Sequence, residues 1–273
     1  MLSKRILTMQ DLSCVGQCSL TVALPVLSAM GVEACVLPTA VLSNHTMFEK
    51  WSCLDLTEEV RKIMKIWKEN SFKFDAFYLG YLGSAPLMDI ARECFKDFSA
   101  DGAKVIIDPA FGDNGKLYPA FDGQYVEEMK KLIKSADIIL PNLTEACYLC
   151  GADYKENASV EYTEEVIKKL SAHTDAVIVL TGAERNGEIG EIIYSDGKFS
   201  YVWNKKLPVR FHGTGDIFAA AFTAEYLDTG SLDKACAVAG RLVAESIKAT
   251  EPEHRYGVNF EYALRRGTYR QSK

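Results

Sequence analysis

The sequence predicts an α/β fold: a doubly wound, mostly parallel sheet with helices on both faces and an antiparallel hairpin at one edge. Three observations carry this. Short runs that are apolar throughout alternate with longer helical patterns, as expected for parallel strands buried on both faces. One pair of alternating runs instead flanks a two-residue turn signal. No repeat, low-complexity tract or Pro/Gly linker divides the 273 residues, so 1–273 reads as one domain with a core large enough to need no staples.

The strands follow in order as "RILTM" (5–9), "EACVLP" (33–38), "DAFYLG" (75–80), "KVIID" (104–108), "DIILP" (137–141) and "AVIVLTG" (176–182). Each is a short β-type run separated from the next by a helical pattern. Between them helical patterns occupy about 17–30, 57–70, 85–99, 124–134, 143–150 and 160–172. "EIIYSDGKFSYVW" (191–203) turns at Asp196-Gly197 and supplies the hairpin. Two long helices close the chain near 214–228 and 231–249. The loop "FGDNGKLYPAFDG" (111–123) is long enough for a lid or binding loop, and equally for a surface connection.

A formal charge of -6 gives no general attraction for nucleic acid or an anionic membrane, so any phosphate site must be built locally. The apolar run of "MLSKRILTMQD" breaks at Gln10 and Asp11, too early for a signal peptide, and no 18-residue apolar stretch follows. A cytoplasmic protein is expected. The eight cysteines lie scattered among apolar neighbours, as suits a reducing compartment. Cys147 and Cys150 form a CxxC within a helical pattern and read as packing, with no second Cys/His pair to complete a metal site.

Ligands of doubly wound sheets bind beyond the carboxyl ends of the strands. The polar residues there are Asp11 after the first strand, Asn44, His45 and Thr46 after the second, and Tyr81 after the third. Asp108 and Asp113 follow the fourth, Asn142 and Glu145 the fifth, Thr181 and Gly182 the sixth. Singly, each also reads as a cap, a turn or a rim residue. Asp108, Asp113 and Glu145 together suit Mg2+, which takes one or two carboxylates along with water and phosphate oxygens. Asn142 and Glu145, three apart at a helix start, equally form a capping box. "HGTGD" (212–216) places two glycines and free amides at a helix N-terminus, where an anion fits. Asp216 there either complements the helix dipole or accepts a proton from an alcohol. No P-loop, GxGxxG, protein-kinase or GxSxG signature is present in the sequence.

In order, "SNHT", "GYLGS", "DPAFGD", "PNLTEA", "LTG" and "HGTGD" resemble the successive motifs of the ribokinase superfamily, most closely its pyridoxal kinase branch, over about residues 5–248. The resemblance implies a ribokinase-like homodimer that uses ATP and Mg2+, with room for a monovalent cation such as K+. Its small-molecule substrate would be pyridoxal, pyridoxine or pyridoxamine, phosphorylated on the 5′-hydroxymethyl group. It makes Asp216 the general base and gives the transferring phosphoryl group to the amides of Gly213, Thr214 and Gly215. Asn142 and Glu145 match a motif that positions hydrated magnesium. Asp108 and Asp113 match acidic residues near the phosphates and metal, which assigns metal roles to Asp108 and Glu145. Thr181 matches a phosphate-side threonine and Tyr118 a residue covering ATP. His45, Thr46, Tyr81 and Asp11 fall at the substrate ring.

The pattern departs at Asp11, where a serine is usual, at Met47 in place of glycine, and at Leu140 in place of threonine. Asp11 either pairs with a protonated ring nitrogen or caps a turn. The rival within the fold is hydroxymethylpyrimidine kinase, which often carries cysteine where this chain has Asp216; a sugar kinase matches less well. A catalytically silent vitamer-binding protein is the rival of another class, against which the intact Asp216 and Glu145 argue.

Overall fold

The computed structural model describes residues 4–209 and 211–270; residues 1–3, 210 and 271–273 of the predicted domain lie outside the described residues. The chain begins with β1 (Arg5–Ser13), α1 (Leu20–Ala29), β2 (Glu33–Leu42), β3 (Cys53–Asp55) and α2 (Thr57–Glu69). β4 (Phe74–Leu79), α3 (Ala85–Phe98) and β5 (Ser99–Ile107) follow, then a small ribbon of β6 (Gly112–Asp113) and β7 (Lys116–Leu117). Next come α4 (Gly123–Leu132), β8 (Ile138–Ile139), α5 (Leu143–Cys150), α6 (Val160–Leu170), β9 (Val177–Arg185), β10 (Glu188–Ser195) and β11 (Lys198–Lys205). Helices α7 (Thr214–Thr229), α8 (Leu232–Lys248) and α9 (Phe260–Arg266) complete it.

Among the described residues the main sheet has nine strands in the order β11-β10-β9-β8-β5-β4-β1-β2-β3. Pairings from β2 across to β9 are parallel, and β3, β10 and β11 add antiparallel edges. Neighbouring residues on the central strands enter opposite cores: Phe77, Ile107, Ile139 and Ile178 face one, and Tyr78, Ile106, Ile138 and Val179 the other. That is why these strands are apolar throughout rather than alternating. Helices α2 to α6 cover the first core, and α1, α7, α8 and α9 the second. Every residue of α7 from Ile217 to Ala224 is buried, so this helix is apolar all round and its N-terminus is fixed by packing. Strand order reverses between β1 and β4, which opens a crevice at their carboxyl ends.

The differences from expectation lie in short elements. β9 runs on to Arg185 and turns through Asn186-Gly187, both at positive φ (45° and 79°), so a second hairpin joins β9 to β10. β3, the β6–β7 ribbon inside the 111–123 loop, and α9 are each too short to show a period. α1 starts at Leu20 rather than 17, because Gly16 and Ser19 hold positive φ (112° and 48°). Cys147 and Cys150 sit at the end of α5, where Cys147 Sγ meets the Asp153 carbonyl (3.5 Å) and Cys150 Sγ the Cys147 carbonyl (3.9 Å). No helix among the described residues is long and apolar enough to cross a membrane.

Candidate active site

The crevice is floored by β1 and β4 and closed on one side by the start of α7. Asp11 is not beyond the first strand but within it, because β1 continues to Ser13 through an irregular register with β2 between Gln10 and Leu12. Such irregularities re-aim a side chain near a site. The Asp11 carboxylate is 5% exposed and accepts from Ser13 Oγ at 3.3 Å. Burial raises its pKa, and the hydroxyls of Ser19 and Ser13 oppose the shift.

Asp216 lies in the first turn of α7, and its carboxylate accepts from the Ser19 backbone N–H. Burial pushes its pKa up to about 6; the Ser19 amide opposes this and the Asp11 charge adds to it. At neutral pH it is ionised, yet basic enough to take a proton. Gly213 caps the helix at φ 82° and presses against Gln17, so the chain reaches Thr214 and Gly215 by a turn that a side chain would obstruct. Ser19, Gln17 and Gly16 carried no recognisable motif. Gly16 holds φ 112°, and a Cβ there would overlap the His45 ring, so this turn needs glycine for a tertiary reason.

Asp108 follows β5, with its amide on the Leu79 carbonyl (2.8 Å). Burial holds its carboxyl well above the usual range, aided by the charges of Glu145 and Asp216 and opposed by the Ala110 amide. Glu145 is 2% exposed and forms the anticipated capping box: Asn142 Oδ1 accepts from the Glu145 amide and Glu145 Oε2 from the Asn142 amide, both at 3.0 Å. Its other oxygen, Oε1, accepts from the amides of Phe111 (3.0 Å) and Gly112 (3.5 Å). Burial raises its pKa to about 7 against these three amides. Asp113 is exposed and accepts from the backbone and side chain of Asn114. Tyr118 is 38% exposed; burial of its hydroxyl and the charges of Glu145, Asp108, Asp113 and Asp216 all raise its pKa. Thr181 lies inside β9 rather than beyond it, bridged to Asn142 with its amide on the Pro141 carbonyl (2.9 Å).

At the other end, His45 is 7% exposed and held as the neutral tautomer: Nε2–H donates to the Arg255 carbonyl (3.2 Å) and Nδ1 accepts from the Met47 amide (3.3 Å). Its pKa is lowered, first by burial. Thr46 is exposed. A depression of about 530 Å3 beside His45 is lined by Met47, Phe48, Glu49, Lys50 and Arg255. The Arg255 segment was invisible in the sequence because it meets His45 only through tertiary contact. Tyr81 packs on Phe121 (5.1 Å), which stacks on Tyr125 (3.8 Å). Burial and the charges of Asp11 and Cys53 push the Tyr81 hydroxyl up to about 12.

The structure thus brings Asp108, Glu145, Asp216 and Tyr118 within electrostatic reach of one another, and the Asp11 charge reaches Asp216. No lysine or arginine among the described residues pairs with these carboxylates. The donors are carboxylate, carboxamide and backbone oxygens, which suit a hard cation. Among the described residues no three His, Cys, Asp or Glu side chains cluster closely enough to hold a metal alone. A hydrated ion that takes its remaining ligands from water and phosphate fits this arrangement.

A family model described as phosphomethylpyrimidine kinase matches residues 21–259. A Bacteroides thetaiotaomicron protein named as a candidate phosphomethylpyrimidine kinase, and crystallised with pyridoxal, is 38% identical with a TM-score of 0.91, over 97% of this chain and 96% of its own. Pyridoxal kinase from Lactobacillus plantarum is 32% identical with a TM-score of 0.87, over 97% and 96%. A curated pyridoxal kinase of Leifsonia xyli is 27% identical over 92% of both chains.

Proposed function

The chain belongs to the phosphomethylpyrimidine kinase family, and on that premise we propose that it transfers a phosphoryl group from ATP to the 5′-hydroxymethyl group of a B6 vitamer. Its fold is that of the ribokinase-like kinases. The observation that carries the reading is Asp216: a carboxylate with pKa near 6, on the first turn of a buried helix, directly after a glycine turn that exposes backbone amides. The pyridoxal bound by the Bacteroides relative supports the substrate class.

In this reading Asp216 accepts the hydroxyl proton as the oxygen attacks, and the amides of Gly213, Thr214 and Gly215 receive the charge of the transferring group. His45, Thr46, Tyr81 and Asp11 hold the ring; neutral His45 offers no charge there. Asp113, Tyr118 and Thr181 border the nucleotide. Asp108 and Glu145, with Asn142 beside them, would hold hydrated Mg2+, which supplies neutralisation of the phosphate charge. Residues 1–273 act as one domain, in a cytoplasmic homodimer, and a monovalent cation such as K+ is compatible with the site.

Relatives of Aquifex aeolicus and Haemophilus influenzae named as hydroxymethylpyrimidine/phosphomethylpyrimidine kinases, 28% and 26% identical, make hydroxymethylpyrimidine the second substrate to try. ATP consumption over pyridoxal, pyridoxamine, pyridoxine and hydroxymethylpyrimidine, for the native chain and Asp216→Asn, tests the proposal. Turnover with a vitamer that the substitution abolishes supports it. Turnover with the pyrimidine alone, or ligand binding without turnover, overturns it.

A further inference from the structure

We infer that Glu145 is a positioning residue that fixes the nucleotide-side loop through backbone amides, and that it does so without a metal ion. The inference deepens the kinase reading and rests on it for the loop's role. Both oxygens of Glu145 accept from backbone amides, Oε1 from Phe111 and Gly112 and Oε2 from Asn142, and 2% of the residue reaches solvent. The two sides of this contact are distant in sequence but adjacent in the sheet, since β5 and β8 pair in parallel and α5 follows β8 directly.

Other residues at the α5 start hold the same loop. Asn142 Nδ2 donates to the Gly112 carbonyl at 2.8 Å, and Thr144 Oγ1 accepts from the Gly115 amide at 2.9 Å. Gly112 leaves no room for a side chain, because a Cβ would stand 2.7 Å from the Lys116 carbonyl oxygen. The loop so held carries Asp113 at its tip and Tyr118 just beyond, with the Tyr118 amide on the Phe111 carbonyl (2.9 Å). A carboxylate is suited to this work because it presents acceptors in two directions at once to three N–H donors. Glutamine turns an N–H2 group towards one set of donors, and aspartate lacks the reach. Charge and reach are therefore separable: Glu145→Asp keeps the first, Glu145→Gln keeps the second.

The test compares Glu145→Gln, Glu145→Asp and Asp108→Asn with the native chain, by amide exchange of residues 111–115 and by ADP affinity, in EDTA and in Mg2+. Both Glu145 variants are expected to speed exchange of the Phe111 and Gly112 amides and to weaken ADP binding in EDTA, each on the order of tenfold. Asp108→Asn is expected to weaken ADP binding only when Mg2+ is present. Unchanged exchange and unchanged affinity in EDTA for both Glu145 variants, with loss confined to Mg2+, would overturn the inference. A native chain that phosphorylates no vitamer would defeat the proposed function, while the exchange result would stand by itself. Thermal unfolding of each variant separates local loosening from a general failure to fold.

Discussion

Gly213 stands so close to the Gln17 carbonyl oxygen that a Cβ at this position would overlap it, and its φ of 82° is one that other residues rarely hold. Both facts make the entry to α7 specific to glycine. Gly213→Ala is expected to displace the amides ahead of Asp216 and to lower kcat by about a hundredfold or more, the usual effect of losing an oriented oxyanion donor. Gly215→Ala provides the contrast, since its added methyl meets nothing within 4 Å. Steady-state kinetics of the two variants checks this; equal losses would show that the turn geometry is not what matters.

The pKa of Asp216 near 6 sets a pH dependence. A base must be ionised to accept a proton, so kcat/KM should rise about tenfold per pH unit below 6 and level off above it. Asp216→Asn should lose both that rise and a factor of about 100 to 10,000 in rate. A profile that is flat between pH 4.5 and 7 in the native enzyme would exclude Asp216 as the group in control.

How much of this was legible beforehand depended on the range of the interaction. The six parallel strands and their helices showed because both-face burial writes apolar runs such as those around Phe77-Tyr78 and Ile106-Ile107. Asp108, Asn142, Glu145 and Asp216 were found because strand ends and helix starts have local signatures. Their wiring was not legible. The Ser19 amide reaches Asp216 across nearly 200 residues of chain, and Arg255 meets His45 from a segment without a period. Asp11 falls outside the run 5–9 because an apolar run stops before hydrogen bonding does, whereas Thr181 lies within the run 176–182 and β9 continues past it to Arg185. Glu145 reads as a metal-site residue or a cap from spacing alone; its second oxygen meets the Phe111 and Gly112 amides only through the tertiary fold.

Asn142 caps α5 through Oδ1 and ties down Gly112 through Nδ2, and the two functions separate by substitution. Asn142→Ala removes both and is expected to cost about 1–2 kcal/mol, a fall in Tm of roughly 2–8 °C for a chain of this size. Asn142→Ser retains a capping oxygen but cannot reach the Gly112 carbonyl, so its Tm should lie between those of the native and alanine forms. Equal Tm values for the serine and alanine variants would show that the cap contributes little.

Glu191 supplies a test of stability away from the site. It lies on β10 facing the second core, is 6% exposed, and one carboxylate oxygen has no hydrogen-bond partner. The neutral Cys236 thiol of α8 lies within its electrostatic reach, and no charged partner offsets its burial. Burial pushes its pKa up to about 8. The folded protein therefore holds a proton that the unfolded chain releases near pH 4.5. The native state is favoured most at and below that pH, and loses this advantage as pH rises from about 4.5 to 8, by about 1.4 kcal/mol per unit. Glu191→Gln replaces the neutral acid with a neutral amide and removes the dependence. Its unfolding free energy in urea should exceed that of the native chain by a few kcal/mol at pH 8 and converge with it near pH 5. A constant difference across this range would mean that Glu191 is already ionised in the fold, with a compensating donor close by.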